Sequence, residues 1–181
     1  MKKILIAYFS HPGENWVNGA VTVLEKGNTR RVADRIQVLT DGDMFEIKTK
    51  KPYPFGYEAC CEQAKAELES GARPELTATV PDFETYDIVY LGYPMWHERM
   101  PMAVYTFLEQ YDFTGKWIVP YSTHEGSGLG NSVDEILRIG KGAQTLEALA
   151  FEGSRVYELD RSKKFAGLEK EILKWVNRTS K

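Results

Sequence analysis

The sequence predicts an α/β fold in which a parallel β-sheet is covered by helices on both faces. Apolar runs alternate with amphipathic stretches along all 181 residues. Apolar runs without internal polar alternation are typical of strands that are buried on both faces. No repeat, low-complexity tract or Pro/Ser-rich linker divides the chain, so we expect a single domain over residues 1–181.

Five segments are predicted to be strands of this sheet. Each is a short run in which Val, Ile, Leu and aromatic residues dominate, bounded by polar or turn-forming residues. In chain order these segments are residues 2–10, 43–49, 86–93, 115–123 and 145–151.

The first two helices are predicted from helical spacing and from a helix stop. Residues 28–39 place Val32, Ile36 and Leu39 on one face. The segment 52–71 supplies the second helix, which Gly71 and Pro74 close off.

The remaining helices are predicted in the same way. Pro101 suits the first turn of a helix, and the apolar face of that helix contains Val104, Phe107, Leu108 and Tyr111. Ser132 and Glu135 match a capping box at the start of the fourth helix. The closing helix is marked by Phe165, Leu168, Ile172 and Val176.

Residues 11–27 break the alternation of strands and helices. Asn18-Gly19 is a strong type I′ turn signal, with Trp16-Val17 on one side and residues 20–24 on the other. We therefore predict a β-hairpin inserted between the first strand and its helix.

Charge and hydropathy exclude some classes of function. The net charge of -3 lacks the clustered basic excess of a nucleic-acid-binding protein. No apolar run approaches the length of a membrane span, and the first run suits a buried strand better than a signal peptide. We expect a cytoplasmic protein that binds neither nucleic acid nor membrane.

Cys60 and Cys61 are the two cysteines of the chain, and they are adjacent. Their spacing matches no metal motif. Cys61 shares a helical stripe with Tyr57, Ala64 and Leu68, so we expect both thiols to pack as small hydrophobic groups. A redox-active vicinal pair is the alternative, and it would need an electropositive, open setting.

The end of the first strand resembles an anion site. Ligands of parallel α/β sheets bind outside the carboxyl ends of the strands. After Ser10 and the hairpin, Gly27 allows close approach of the backbone, and Asn28 and Thr29 open a helix whose amino terminus attracts anions. The alternative is that Asn28 or Thr29 is simply a helix N-cap.

Two further strand ends suggest a flat ligand. In the stretch LGYPMWHERMP (residues 91–101), Trp96 falls in a turn, where a large aromatic ring is poorly placed to join a core. After the fourth strand, Gly126, Gly128 and Gly130 alternate with small polar residues and expose backbone amides. Together, the three strand ends predict a ligand that is planar, aromatic and phosphorylated.

These segments together resemble a flavodoxin, a protein that holds flavin mononucleotide (FMN). The resemblance covers essentially the whole chain, through YFS…GNT, GYPMW…MP…FLE, GKWIVPYSTHEGSG and the closing helix. It implies a flavodoxin-like three-layer sandwich with a five-stranded parallel sheet in the order 2-1-3-4-5. It also places FMN at the tips of the first, third and fourth strands.

The resemblance also implies the residues of the cofactor site. Ser10, Asn28 and Thr29 would hold the phosphate, beside Arg30. The isoalloxazine ring would be lined on one side by Pro94, Met95, Trp96 and His97, and on the other by Thr123, His124, Gly126, Ser127 and Gly128. For His97 and His124 we expect contact with the flavin, and proton transfer is the alternative. We assign no catalytic or metal-binding residue.

The hairpin is a departure from the family pattern. The family's phosphate loop runs Ser-x-x-Gly-Asn-Thr without interruption, whereas here the hairpin separates Ser10 from Gly27. Because both ends of the hairpin emerge at the phosphate loop, we expect it to lie over the phosphate or ribityl side of the flavin.

The resemblance implies an FMN-binding protein that carries electrons between redox partners. The alternative is an FMN-dependent NAD(P)H:quinone-type reductase, whose partner would be a small quinone-like substrate. No second nucleotide-binding fingerprint is visible, which favours the carrier. Either protein would be a monomer or a homodimer.

Overall fold

A computed structural model describes residues 2–159 and 166–180 of the chain. Its strands are β1 (Ile4–Tyr8), β2 (Gly13–Val17), β3 (Ala20–Leu24), β4 (Asp43–Glu46), β5 (Ile88–Pro94), β6 (Trp117–His124), β7 (Gln144–Thr145) and β8 (Leu149–Glu152). Its helices are α1 (Asn28–Thr40), α2 (Tyr57–Ser70), α3 (Met102–Gln110), α4 (Ser132–Ile139), α5 (Gly153–Tyr157) and α6 (Ala166–Thr179), with a short 3-10 helix at Phe83–Thr85. Phe165, expected in the closing helix, lies outside the described residues.

The central sheet confirms the predicted α/β fold. Its strands are parallel and follow the order β4-β1-β5-β6-β7, and β8 continues the edge beside β6. With the hairpin left out and β7 and β8 counted as one strand, this is the predicted order 2-1-3-4-5. No helix in the described part of the chain is both long and apolar enough to cross a membrane.

The fifth predicted strand is divided into β7 and β8. Thr145 lies opposite Ile118 and Leu149 lies opposite Tyr121. The fifth strand therefore advances four residues where β6 advances three. The Ile118 carbonyl still accepts the N–H of Leu146. Two residues further on, Pro120 would present its N–H to the same side, but proline has none to donate. At the next residue, the Glu147 carbonyl accepts the indole N–H of Trp175 at 2.8 Å, which anchors the break to α6.

Successive residues of the central strands point into two separate cores. Leu5 and Leu91 pack in one core with residues of α3 and α4, whereas Ile6 and Tyr90 pack in the other with residues of α1 and α6. Burial on both faces explains why the strands are continuous apolar runs. The first core also receives Leu68 from α2, so α1 and α2 lie on opposite faces of the sheet.

The predicted capping box at the start of α4 was wrong. Asn131 precedes the helix and makes no side-chain capping bond. The Ser132 hydroxyl donates to the Leu129 carbonyl at 2.6 Å and accepts the hydroxyl of Tyr93 at 2.8 Å. The Glu135 carboxylate accepts hydrogen bonds from Arg99 and Tyr105 instead of reaching back to the cap. Both side chains therefore fix the loop before α4 to neighbouring elements.

The inserted hairpin is confirmed. β2 and β3 pair in antiparallel fashion up to Val17 opposite Ala20. Asn18 and Gly19 have φ angles of 52° and 82°, as a type I′ turn requires. Glu14 fastens the hairpin to the domain, because its N–H donates to the Phe55 carbonyl at 2.9 Å and its carboxylate accepts the N–H of Tyr57 at 2.9 Å.

Glycine is required at position 92 because a side chain would not fit, and not because a turn needs its backbone conformation. Gly92 lies inside β5, opposite Tyr8 on one side and Tyr121 on the other. A Cβ at this position would overlap the aromatic ring and the hydroxyl of Tyr121. Since Tyr121 is fully buried, its ring has nowhere to move.

We predict that Gly92→Ala lowers the free energy of unfolding by about 3 kcal/mol, because it overpacks the core between two central strands. Urea unfolding followed by circular dichroism measures the change. Gly167→Ala in α6 is the control, since a Cβ there meets open space. The control should change stability by less than about 1 kcal/mol, in the stabilising direction. An unchanged unfolding midpoint for Gly92→Ala would contradict the packing argument.

Candidate functional site

A cavity of about 500 Å³ opens at the carboxyl ends of β1, β5 and β6. Its walls come from the hairpin, the first turn of α1, one face of α2, the loops after β5 and β6, and the start of α5. Ligands of parallel α/β sheets bind at this edge, and the cavity has the size of an ordinary small-molecule site.

Most of the residues expected to bind a cofactor line this cavity. They are Asn28, Thr29, Pro94, Met95, Trp96, His97, Thr123, His124, Gly126 and Ser127. Sequence positions that are as much as about a hundred residues apart therefore meet at one edge of the sheet, because parallel strands end together there.

Three expected residues, Ser10, Arg30 and Gly128, lie outside the lining. The Ser10 hydroxyl accepts the N–H of Arg30 at 3.1 Å. The Arg30 guanidinium turns away and pairs with Asp34 at 2.9 Å. The Gly128 carbonyl accepts the Ser122 hydroxyl at 2.7 Å. In this arrangement these residues shape the loops rather than face the cavity.

The two ends of the hairpin meet at the amino terminus of α1. A Cβ on Gly27 would overlap the Ser10 hydroxyl oxygen and would lie 2.7 Å from the His11 carbonyl oxygen. This close approach brings Ser10 back beside Gly27 although the hairpin separates them in sequence. The loop that the insertion interrupts in the sequence is thus closed again in space.

The side chains expected to hold a phosphate already have partners within the protein. The Thr29 and Thr123 hydroxyls are 2.8 Å apart, and the Asn28 amide nitrogen donates to the Gly153 carbonyl at 3.0 Å. The first N–H groups of α1 have no acceptor inside the helix. The Asn28 Oδ1 atom is buried without a hydrogen-bond partner among the described residues. Because Oδ1 only accepts, it suits a ligand hydroxyl rather than a phosphate oxygen.

Trp96 forms a fixed aromatic wall of the cavity. Its indole is half-buried and makes edge contacts with the rings of Tyr53, Phe9 and His11, with centroids 5.0, 5.3 and 5.7 Å away. These contacts hold the indole at a strand end, where it borders both the core and the cavity.

The turn after Trp96 has an unusual backbone. Trp96 and Arg99 exchange backbone hydrogen bonds of 2.9 and 3.0 Å, and both residues between them have left-handed φ angles, 49° for His97 and 62° for Glu98. Non-glycine residues adopt this region at some cost, and such strain is concentrated at ligand sites. A hydrogen bond of 3.0 Å between His97 Nε2 and the Cys61 carbonyl ties the turn to α2.

The loop after β6 supplies exposed backbone. Gly126, Gly128 and Gly130 have φ angles of 121°, 61° and 48°, which side chains at these positions would disfavour. The Gly126 N–H donates to Nδ1 of His124 at 3.0 Å. Burial lowers the pKa of His124 and outweighs the opposing effect of Glu152. The lowered pKa favours the neutral ring, whose Nδ1 can accept this hydrogen bond.

The sequence did not identify the contribution of α2 to the cavity. We expected Tyr57, Cys61, Ala64 and Leu68 to share a packed stripe. Leu68 packs against the core and Ala64 is buried, whereas Tyr57 and Cys61 are only half-buried, and Tyr57, Cys61 and Ala64 all line the cavity. Burial raises the pKa of Cys60, which also lines the cavity, to about 12, so this thiol stays protonated. A protonated thiol argues against the redox-active vicinal pair.

Other lining residues were also missed. They are His11, Glu14, Asn15, Trp16, Glu98, Glu125 and Gly153. The hairpin members had a detectable signal, since both hairpin ends emerge at the site. Nothing in the sequence places α2 or α5 there, because their positions depend on how the helices pack on the sheet.

Carboxylates dominate the charge of the cavity. Glu14, Glu98 and Glu125 line it, and no Lys or Arg does so within residues 2–159 and 166–180. Burial raises the pKa of Glu125, and this effect outweighs the opposing effect of the nearby N–H groups of Ser154 and Asn18. Glu125 thus lies between the hairpin turn and the start of α5.

Solved structures show the same fold. A candidate flavoprotein of Bacteroides eggerthii is 25% identical with a TM-score of 0.72, and the match covers 100% of this chain and 99% of that one. A flavoprotein of Lactobacillus acidophilus in complex with FMN is 20% identical with a TM-score of 0.63, covering 89% and 100%. Flavodoxin 2 of Bacillus cereus is 18% identical with a TM-score of 0.53, covering 98% and 97%.

Sequence comparison with curated proteins finds no match. The model of a flavodoxin family, in contrast, matches residues 3–158, which include every wall of the cavity. With the parallel sheet in the expected order, this match shows that the chain belongs to the flavodoxin family.

Proposed function

We propose that this protein binds FMN in the cavity at the end of the sheet and carries electrons between redox partners. The proposal depends on one observation: a helix amino terminus, a fixed indole and an amide-rich loop meet in a single cavity. The Lactobacillus acidophilus flavoprotein, which has the same fold, was solved with FMN. FMN supplies reversible electron transfer when bound, and the protein binds and orients it.

The residues present fit this cofactor. The N–H groups of Asn28 and Thr29, which open α1, would bind the phosphate, with the helix dipole contributing. The partnerless Oδ1 of Asn28 would accept a ribityl hydroxyl. Trp96 would flank the isoalloxazine ring, and the amides of the loop after β6 would face the polar edge of that ring.

An exposed apolar surface beside the cavity supports the role of a carrier. Trp16 lies opposite Val21 in the hairpin, and Val23 lies opposite Glu14, so these side chains share one face. Trp16, Val21, Val23 and the adjacent Phe55 are 45%, 47%, 53% and 63% exposed. A protein partner would bury such a surface on docking.

An FMN-dependent NAD(P)H:quinone-type reductase is the second candidate. It is favoured by the extension of the cavity towards Tyr57 and Ala64 on α2, which offers room for a small molecule. The two candidates differ in whether the purified protein catalyses quinone reduction by NAD(P)H without a second protein.

We predict that Trp96→Phe raises the dissociation constant of FMN about tenfold, because a smaller ring gives less contact with the flavin. Quenching of FMN fluorescence on titration with the protein measures it. Trp117→Phe is the matched control, since Trp117 is part-exposed at the amino end of β6, far from the cavity. Absence of FMN binding to the wild-type protein would refute the proposed function.

We predict that FMN-loaded protein oxidises NADPH in the presence of menadione no faster than about twice the rate of an equal concentration of free FMN. Adding a separate NADPH-dependent flavin reductase should make menadione reduction fast, because a carrier needs a donor protein. Rapid NADPH oxidation by the purified protein alone would show that the protein is the reductase and not the carrier.

We predict that acid weakens FMN binding partly through His124. The pKa of His124 is lower in the folded protein than in the unfolded chain. The hydrogen bond that the neutral ring accepts from the Gly126 N–H is therefore fully present above the unfolded pKa of about 6.5. It is lost as the pH falls through the folded pKa. His124→Asn should flatten this part of the profile between about pH 8 and pH 5, because an Asn side chain can accept the same N–H without titrating. FMN dissociation constants across this range give the comparison. Identical profiles for variant and wild type would exclude His124 as a source of the pH dependence, since titration of the FMN phosphate affects both proteins equally.

A further inference from the structure

We propose that the α2 side of the cavity is a second subsite, which binds a planar aromatic molecule that has no negative charge. The subsite is formed by Trp16 of the hairpin and by Tyr57, Cys61 and Ala64 of α2. The proposal rests on the proposed binding of FMN, because it concerns the part of the cavity that FMN leaves free.

The cavity extends over both faces of the sheet. Asn28 and Thr29 belong to α1, which packs in the second core, whereas α2 packs on the first core through Leu68. Trp96 follows β5 and is held by its edge contact with Tyr53. In this proposal the flavin lies between Trp96 and the loop after β6, with its phosphate at α1, and the α2 wall is left to the second ligand.

Two aromatic rings form the sides of the subsite. The rings of Trp16 and Tyr57 have centroids 6.1 Å apart and planes inclined by 35°. Tyr57 is the first residue of α2, and its ring packs against the indole of Trp16. Trp16 is 45% exposed although its neighbour Val17 is buried. An indole that faces open space next to a second aromatic ring suits stacking on a flat aromatic ligand.

The floor of the subsite is small and apolar. Ala64 lies one helical turn from Cys61 on the same face of α2, and both line the cavity. Both side chains are short, so in this proposal they form the floor and the Trp16 indole forms the side wall for a flat ring system.

The charge of the subsite selects against anions. The Glu14 carboxylate is positioned by the N–H of Tyr57 at 2.9 Å, and Glu98 lines the cavity on the turn that His97 joins to α2. Carboxylates repel an anionic ligand, and the faces of Trp and Tyr rings attract cations. The ligand class is therefore a neutral or cationic planar aromatic molecule.

Calorimetric titration of the full-length, FMN-loaded, oxidised protein with three tricyclic probes tests the subsite. The probes are N-methylphenazinium (cationic), phenazine (neutral) and phenazine-1-carboxylate (anionic). We expect the cation and the neutral probe to bind at least about tenfold more tightly than the anion. FMN fluorescence, recorded in parallel, should show that FMN stays bound.

Variants locate the probe. Trp16→Ala should weaken binding of N-methylphenazinium about tenfold and change the FMN dissociation constant less than about twofold. Glu14→Gln keeps an acceptor for the Tyr57 N–H and should narrow the preference for the cation over the anion at least about threefold. Trp117→Ala, at the other end of the sheet, should change neither measurement.

The two proposals fail in different ways. Four results would overturn the subsite while leaving the FMN site intact. They are equal binding of the three probes, no binding of any probe, displacement of FMN by the probe, and unchanged affinity of Trp16→Ala for N-methylphenazinium. Failure of FMN itself to bind would overturn the proposed function, and the subsite with it.

Discussion

Burial of the central strands on both faces is the constraint that places the site. A parallel sheet needs a crossover for every strand, and two buried faces require helices on both sides. All strands then end at one edge, so the loops after β1, β5 and β6 converge there. The core also excludes side chains where strands are crowded, as at Gly92 beside Tyr121. The same packing that makes the sheet rigid therefore creates one edge at which polar loops can surround a ligand.

Glu14 holds the hairpin to α2 at this edge. Its carboxylate accepts the N–H of Tyr57 at the start of α2, and its own N–H donates to the Phe55 carbonyl. The Glu125 carboxylate lies beside the N–H groups of Asn18 in the hairpin turn and Ser154 in α5. Hydrogen bonds to charged acceptors are stronger than those between neutral groups, so the Glu14 contacts stabilise a short antiparallel ribbon that would be marginal by itself.

The proposed FMN site combines a helix amino terminus with a surplus of carboxylates. At that helix end, the Thr29 and Asn28 side chains already bond to Thr123 and Gly153, which leaves the backbone N–H groups that open α1 as the donors. Glu125 lies close by, since a Cβ on Gly153 would be 2.7 Å from its Oε1 and 2.8 Å from Asn28 Nδ2. Binding of a phosphate there would therefore depend on directed N–H groups rather than on net positive charge, and the acidic remainder of the lining would disfavour a second anion.

The sequence by itself determined the five-stranded α/β fold, the hairpin turn at Asn18-Gly19, and the loops that face the cavity, because periodicity, turn chemistry and strand ends are local properties. Only the tertiary structure decided that Arg30 turns away to Asp34, that Ser132 and Glu135 bond to other elements, and that the Tyr57 face of α2 is a wall of the cavity. Those outcomes depend on which partner lies nearest in space. A pattern on one helix records that a face is apolar, but it does not record whether that face meets a core or a ligand.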